Sequence, residues 1–249
     1  MTRALLVLTL LVGCKRESST QSNRAEAEQA PTSAQVRSYS DLVKQTQTGS
    51  ATETRNELAC AAAIPVPRRP EYTSPTNTAE HEKRYDRLLS LSGAVLVRDA
   101  TDDELFGIVL DRLMKSLDEP MTMSPAERDI WLWNGYSGEV FNGGHHQFFF
   151  NSSGDDALET RGALDRIGLG DVLKIYDCAL TAFPDSKPSH DRNERNNQLA
   201  RWGDNQFKIF ERLDSAFYAI TVSTPAVGAY VRKHFADMPN VQKPHKPAR

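Results

Sequence analysis

Residues 139–159 read EVFNGGHHQFFFNSSGDDALE and gather two histidines, two serines, two aspartates and three glycines in one short stretch. His145 and His146 with Asp155 and Asp156 are the residue types of a metal-dependent or hydrolytic centre, since imidazole and carboxylate bind divalent metals. A histidine beside Ser152 or Ser153 would also be placed to take a proton from a hydroxyl nucleophile. The spacing argues against both. Adjacent histidines point apart on a regular helix, whereas helical zinc sites put their ligands at i and i+4. No Gly-x-Ser-x-Gly elbow surrounds the serines, and NSSG lacks the Gly-x-x-x-x-Gly-Lys frame of a phosphate loop. The expectation is therefore no catalytic residue, no metal and no cofactor. The competing reading is an envelope enzyme built on His145, His146, Asp155 and Asp156.

The same residues have structural uses. Asn142, Gly143 and Gly144 sit where the preceding helix should stop, because glycine tolerates the left-handed backbone that closes a helix. His145 to Phe150 then reads as an apolar turn or short helix with Phe148, Phe149 and Phe150 as core anchors, each ring worth about 1.5 to 3 kcal/mol when buried. Ser153 is placed to cap the next helix, with Gly154, Asp155 and Asp156 in its first turn. That helix continues through Ala157, Thr160, Leu164 and Ile167 to a second stop at Gly168 and Gly170.

Helical periodicity extends on both sides. DDELFGIVLDRLMKSL places Leu105, Ile108 or Val109, Arg112 or Leu113 and Leu117 three to four residues apart. SPAERDIWLWNGYSGEVF opens with Ser124 as N-cap, Pro125 at the first helical position and Glu127 at the capping-box position. Later runs carry Val172, Tyr176 and Phe183, then Phe207, Phe210, Leu213 or Asp214, Phe217 and Ile220, then Val227, Tyr230 or Val231 and His234. The tryptophans Trp131, Trp133 and Trp202 and the histidine His234 read as interior residues. No long stretch alternates with period two, so the fold class is all-α: a single multi-helix domain.

The N-terminus MTRALLVLTLLVGCK has a positive Arg3, a short apolar run and the sequence Leu11-Val12-Gly13-Cys14. This resembles a lipoprotein signal peptide, residues 1–14, with Cys14 as the lipid-attachment residue. Several acyl chains on one cysteine would hold the chain on a membrane, each buried methylene contributing about 0.8 kcal/mol. Lys15 follows the cysteine where an aspartate would resemble an inner-membrane retention signal, so the outer membrane of a bacterial envelope is favoured. Residues 15–79, rich in Ser, Thr, Gln, Glu and Ala and then in proline, read as a flexible linker. Residues 80–238 are the expected domain, and 239–249 a basic, solvated tail. Of the two remaining cysteines, Cys60 lies in the alanine-rich linker and Cys178 on the apolar side of a helix. The favoured expectation is two unbridged thiols, although an exported protein can keep a disulfide and spacing cannot fix connectivity.

The formal charge of −3 hides an asymmetry: residues 99–185 hold 17 Asp and Glu against 6 Lys and Arg, and residues 186–249 hold 6 against 11. The two parts either neutralise each other on packing or leave an acidic surface for a basic partner. Asp102, Asp103, Glu104, Asp111, Asp155, Asp156, Glu159 and Asp171 are the carboxylates expected to form that surface.

Glu139, Asn142-Gly143-Gly144, Gln147-Phe148-Phe149, Asn151-Ser152-Ser153-Gly154-Asp155, Glu159, Ala163-Leu164 and Ile167-Gly168 carry a resemblance to the DNA-mimic protein C-terminal domain family. It continues through Phe183-Pro184, Leu213-Asp214, Phe217-Tyr218 and Tyr230, over roughly residues 85 to 236. The resemblance implies an all-α domain and, in acidic members, carboxylates that imitate the charge of duplex DNA and occupy DNA-binding proteins. Here the mild overall charge and the lipobox point instead to a membrane-tethered, non-catalytic module binding a basic protein, of immunity or inhibitor type. No direct contact with nucleic acid is expected.

Overall fold

The longest element begins where the local chemistry asks for it. Ser124 Oγ accepts from Glu127 N at 3.3 Å and the Glu127 side chain accepts from Ser124 N at 2.9 Å. Together they close a capping box with Pro125 at the first helical position. In the computed structural model, residues 59–67, 78–116, 122–220 and 224–243 are described. Cys14, the expected signal segment, residues 15–58 of the expected linker, Leu117 and residues 244–249 of the expected tail lie outside them.

After a short helical stretch at 59–63, nine helices follow among the described residues: α1 Thr78–Leu89, α2 Gly93–Asp99, α3 Asp102–Ser116, α4 Pro125–Phe150, α5 Ala157–Ile167, α6 Gly170–Leu180, α7 Arg192–Leu199, α8 Asp204–Ala219 and α9 Thr224–His234. Single 3-10 turns lie at Ser152–Asp156, Pro184–Ser186, Phe235–Asp237 and Pro239–Val241. No strand occurs among the described residues, as the all-α reading requires. The helix α4 is central: α5 and α8 pack along it, α7 crosses it, and α3 packs chiefly on α9. The core is aromatic where these elements meet. Tyr136 makes edge-to-face contacts with Phe148 at 5.1 Å, Tyr176 at 4.9 Å and Phe217 at 5.5 Å. Such pairings add to the area that the rings bury.

Two arginines, Arg112 buried and Arg232 partly buried, tie distant segments together. Arg112, on the apolar face of α3, donates to Leu89 O at 3.1 Å, Leu91 O at 2.5 Å and Val241 O at 2.6 Å. Burial lowers its pKa. It thereby joins the end of α1 to the C-terminal turn, so the expected solvated tail is corrected at its start: Val241 is buried. Arg232 on α9 binds Asp102 Oδ1 at 2.7 Å and the carbonyls of Val97 and Ala100.

Other expectations need correction. Cys60 and Cys178 are bridged, with Cα atoms 5.8 Å apart. The stretch 59–64, expected to be linker, packs on the core with Ala61 buried, and Arg212 of α8 donates to Ala61 O, Ala62 O and Ile64 O at 2.6, 3.2 and 3.1 Å. A guanidinium fork over the open carbonyls of a helix end is a C-terminal cap supplied from another element. Phe150 and Phe207 are about half exposed rather than core, at 50 % and 45 %. The His234 side chain keeps 30 % exposure and sits 3.6 Å from Asp237.

The bridge closes a long loop, and removing it frees the unfolded chain. A Cys60→Ala/Cys178→Ala variant should lose about 2–4 kcal/mol of unfolding free energy. Equilibrium denaturation with and without a reductant checks this: reduction should shift the natural chain's midpoint and leave the variant's unchanged.

Candidate functional site

The motif stretch folds around a break in α4. Gly143 (φ −159°, ψ 24°) and Gly144 (φ 79°, ψ −180°) interrupt the helix, and it restarts at His145. The expected stop at these glycines is therefore present. A Cβ on Gly144 would lie 2.2 Å from Asp214 Oδ2, so this position needs both a positive φ and an absent side chain. The space admits the carboxylate of Asp214 from α8. Its Oδ1 accepts from His145 N at 2.8 Å and from His145 Nδ1 at 2.5 Å. His145 Nε2 then faces the Tyr136 hydroxyl at 2.9 Å. With Nδ1–H given to the carboxylate, Nε2 is the acceptor and the phenol donates.

Carboxylate, imidazole and hydroxyl in series form the arrangement that activates nucleophiles. This one ends on a phenol that no substrate reaches: Tyr136 and His145 are both fully buried. Burial also pushes the Tyr136 hydroxyl well above its ordinary pKa. The series satisfies polar groups inside the core and does not present a nucleophile.

A second cluster faces the other side of the break. Glu139 accepts from Gln147 Nε2 at 2.6 Å, Asn151 Nδ2 at 2.8 Å and Ser153 Oγ at 3.3 Å. The family-motif residues Glu139, Gln147, Asn151 and Ser153 thus form one network across the two halves of the segment. Ser153 does not cap α5: a 3-10 turn intervenes, Asp156 occupies the N-cap position, and Ser153 spends its hydroxyl on Glu139. Downstream, α5 does end at Gly168 with φ 85°. Asn142 is exposed, while Phe148 is buried with Phe149.

The third node is Arg195 of α7, fully buried. It donates to Phe149 O at 2.5 Å, Asn151 O at 2.9 Å, Ser189 O at 2.7 Å, His190 O at 3.2 Å and Asp155 Oδ1 at 2.6 Å. Gly154 lies against it, since an added Cβ would meet Phe148 O at 2.8 Å and Arg195 Nε at 2.9 Å.

Seven of the eight carboxylates expected to form an acidic surface are held in ion pairs. Asp102 meets Arg232 at 2.7 Å, Glu104 meets Arg84 at 2.6 Å, Asp111 meets Lys115 at 2.7 Å and Asp171 meets Lys174 at 2.9 Å. Asp155 meets Arg195 at 2.6 Å, and Arg128 bridges Asp156 at 2.8 Å and Glu159 at 2.7 Å. Arg128 lowers the pKa of Glu159 by hydrogen bond and charge, and the two carboxylates raise that of Arg128. Asp103 is exposed and in no ion pair among the described residues. The acidic middle and the basic C-terminal part therefore neutralise each other in part, chiefly through Arg232 and Arg195.

The four residues of the enzyme reading are not brought together. His145 bonds Asp214 and Tyr136, and His146 lies among aromatic rings with Trp202 and Phe207. Asp155 and Asp156 instead line a shallow depression with Leu158, Glu159, Pro188 and His190. No group of three metal-binding side chains occurs among the described residues. Sequence reasoning missed Tyr136 and Arg195 as organising residues and left Asp214 open. The one available signal was Asp214, a carboxylate on the apolar stripe of Phe207, Phe210 and Phe217. Arg195 gives none, because four of its five partners are backbone carbonyls and the fifth, Asp155, lies 40 residues away.

An all-α domain organised by a broken central helix and buried polar clusters is the class that this geometry defines. Residues 121–234 match the family model described as DMP19-like protein, the DNA-mimic family that the motif residues resemble. The match runs from just before the α4 cap to the end of α9. No curated protein and no solved structure matches the chain.

Three outcomes follow from these nodes. Gly144→Ala should cost about 2 kcal/mol or more through backbone strain and displacement of Asp214. Arg195→Met should cost about 2–4 kcal/mol by leaving buried carbonyls without donors. Urea denaturation reads both, and either variant unfolding at the natural midpoint would sink its node. The third concerns pH. Burial holds His146 below the ordinary histidine pKa, so the unfolded chain takes its proton first as pH falls. The His146 contribution is whole above about pH 6.5, the unfolded value, and is lost as pH drops through the lower folded value. His146→Phe should flatten the stability profile just below that pH.

Proposed function

We propose that the protein is a non-catalytic protein-binding module, tethered by lipid on Cys14 to the bacterial cell envelope, with the outer membrane as its surface. Its partner presents a basic surface, as a toxin would to an immunity or inhibitor protein. The observation that carries the reading is the DMP19-like match over residues 121–234, since binding through protein surface rather than chemistry is what that DNA-mimic family implies. Two features support it. The acidic excess of residues 99–185 overlaps the matched segment. The Cys60–Cys178 bridge suits an exported protein, because thiols stay reduced in the cytosol.

Intramolecular pairing narrows the surface that a partner would use. Asp103, Asp165 and Asp185 are exposed and in no ion pair among the described residues. Exposed pairs such as Arg161–Asp177 are held at 2.7 Å with both partners more than two-fifths accessible. Such pairs contribute about 0–1 kcal/mol, so an incoming cation can exchange with the internal one. A basic partner would then bind across free and exchangeable carboxylates together.

The test is a capture from detergent-solubilised envelopes by the full chain, washed at low and then high salt. A basic protein retained at low salt and released at high salt is the expected result, with retention lowered by Asp103→Asn/Asp165→Asn/Asp185→Asn. An empty capture would end the basic-partner reading. Separately, Cys14→Ala should move the protein from the membrane to the soluble fraction. Unchanged sedimentation of that variant would end the lipid anchor.

A further inference from the structure

An aromatic cluster lies outside the motif's hydrogen-bond network. His146, on the restarted half of α4, stacks on Phe150 with centroids 6.1 Å apart and meets Phe207 of α8 at 5.7 Å. Trp202, in the turn before α8, meets His146 at 6.3 Å and Phe207 at 6.2 Å. The inner side of this cluster is anchored: Trp202 packs on Phe210 at 4.5 Å and Phe183 at 5.3 Å. The outer side is open, with Phe150 50 % and Phe207 45 % exposed. Scattered exposed apolar residues are ordinary, whereas contiguous rings on one surface mark a contact site. At the rim, Arg201 and Lys208 are exposed and in no ion pair among the described residues, and Glu211 lies one turn on.

The place where the chain leaves the domain says what covers the patch. Residues 59–64 are clamped to α8 by Arg212 and to α6 by the Cys60–Cys178 bridge. Arg212 lies about 7.5 Å along α8 from Phe207 and roughly 140° around it, by the helical rise and turn per residue. On α6, Cys178 leads directly into the turn that brings Phe183 against Trp202. The chain preceding Ala59 therefore joins the domain on α6 and α8, the two helices whose ends also carry the aromatic cluster. A flexible chain of the length from Cys14 to Ala59 spans about 35–40 Å r.m.s.. A lipid surface at Cys14 would thus be the apolar surface that the patch meets at the highest effective concentration. Aromatic rings settle at the membrane–water interface, and arginine and lysine extend to anionic headgroups.

We propose that the Phe150, His146, Trp202 and Phe207 patch docks the domain onto the anionic lipid surface that holds Cys14. The inference rests on the lipid-anchor reading above. It leaves the unpaired carboxylates Asp103, Asp165 and Asp185 for a protein partner.

The experiment tethers the chain without relying on acylation. The protein from Lys15 to Arg249, with an N-terminal histidine tag, is captured on vesicles of phosphatidylcholine and phosphatidylglycerol containing a nickel-chelating lipid. Acyl chains are brominated in one set and unbrominated in the other. Docking predicts that bromination quenches tryptophan emission, that Trp202→Phe removes the quenching, and that Phe150→Ser/Phe207→Ser abolishes it while capture by the tag persists. Both serines replace exposed rings, and a circular-dichroism melt verifies that the variant is folded. Equal emission on the two vesicle sets overturns the proposal, as does quenching that survives the double variant. The mass of the Cys14 peptide from cell membranes tests acylation separately, so failure of the anchor is distinguishable from failure of the patch.

Discussion

The Asp214 carboxylate is the constraint on which the rest of the domain depends. A helix interrupted inside a core leaves backbone donors without partners, and such groups are costly to bury. Asp214 supplies an acceptor to the first residue of the restarted helix and, with the same oxygen, to its ring. Gly144 leaves the room for it. The restarted half of α4 can then carry Phe148 and Phe149 into the core beside Tyr176, and His145 onto Phe210. Without that acceptor the break would be an unsatisfied end in an apolar interior.

Arginine does comparable work elsewhere. Arg112, Arg195, Arg212 and Arg232 each reach backbone carbonyls of segments far away in sequence, and two of them also engage carboxylates. A planar guanidinium with several donors is suited to this use, since one side chain can close several open carbonyls at once. The functional consequence concerns charge. Much of the acid visible in the sequence is met inside the domain, so the field offered to a partner is weaker than the count of carboxylates implies. What remains is a sparse set of exposed acids, Asp103, Asp165 and Asp185, that meet no cation among the described residues, and an exposed aromatic patch.

The N-terminal attachment fixes where the preceding chain meets the domain. Because residues 59–64 are held to α6 and α8 by a covalent bridge and a guanidinium clamp, the preceding chain cannot leave the domain at an arbitrary point.

By itself the sequence determined the elements and their punctuation. The capping box at Ser124 and Glu127, the break at Gly143 and Gly144, the stop at Gly168 and the apolar faces of α3 and α9 all depend on backbone conformation and on neighbours within a turn or two. The family likeness was legible for the same reason, because its residues cluster around that break. Only the tertiary structure decided how the polar residues are used. Ser153 serves Glu139 rather than a helix end; Cys60 meets Cys178 across 118 residues; Arg195 closes carbonyls that no pattern marks; and seven of the eight acids chosen for a surface are paired. The reason is range: a hydrogen bond or ion pair forms only within a few ångströms, and folding alone chooses which distant groups come that close.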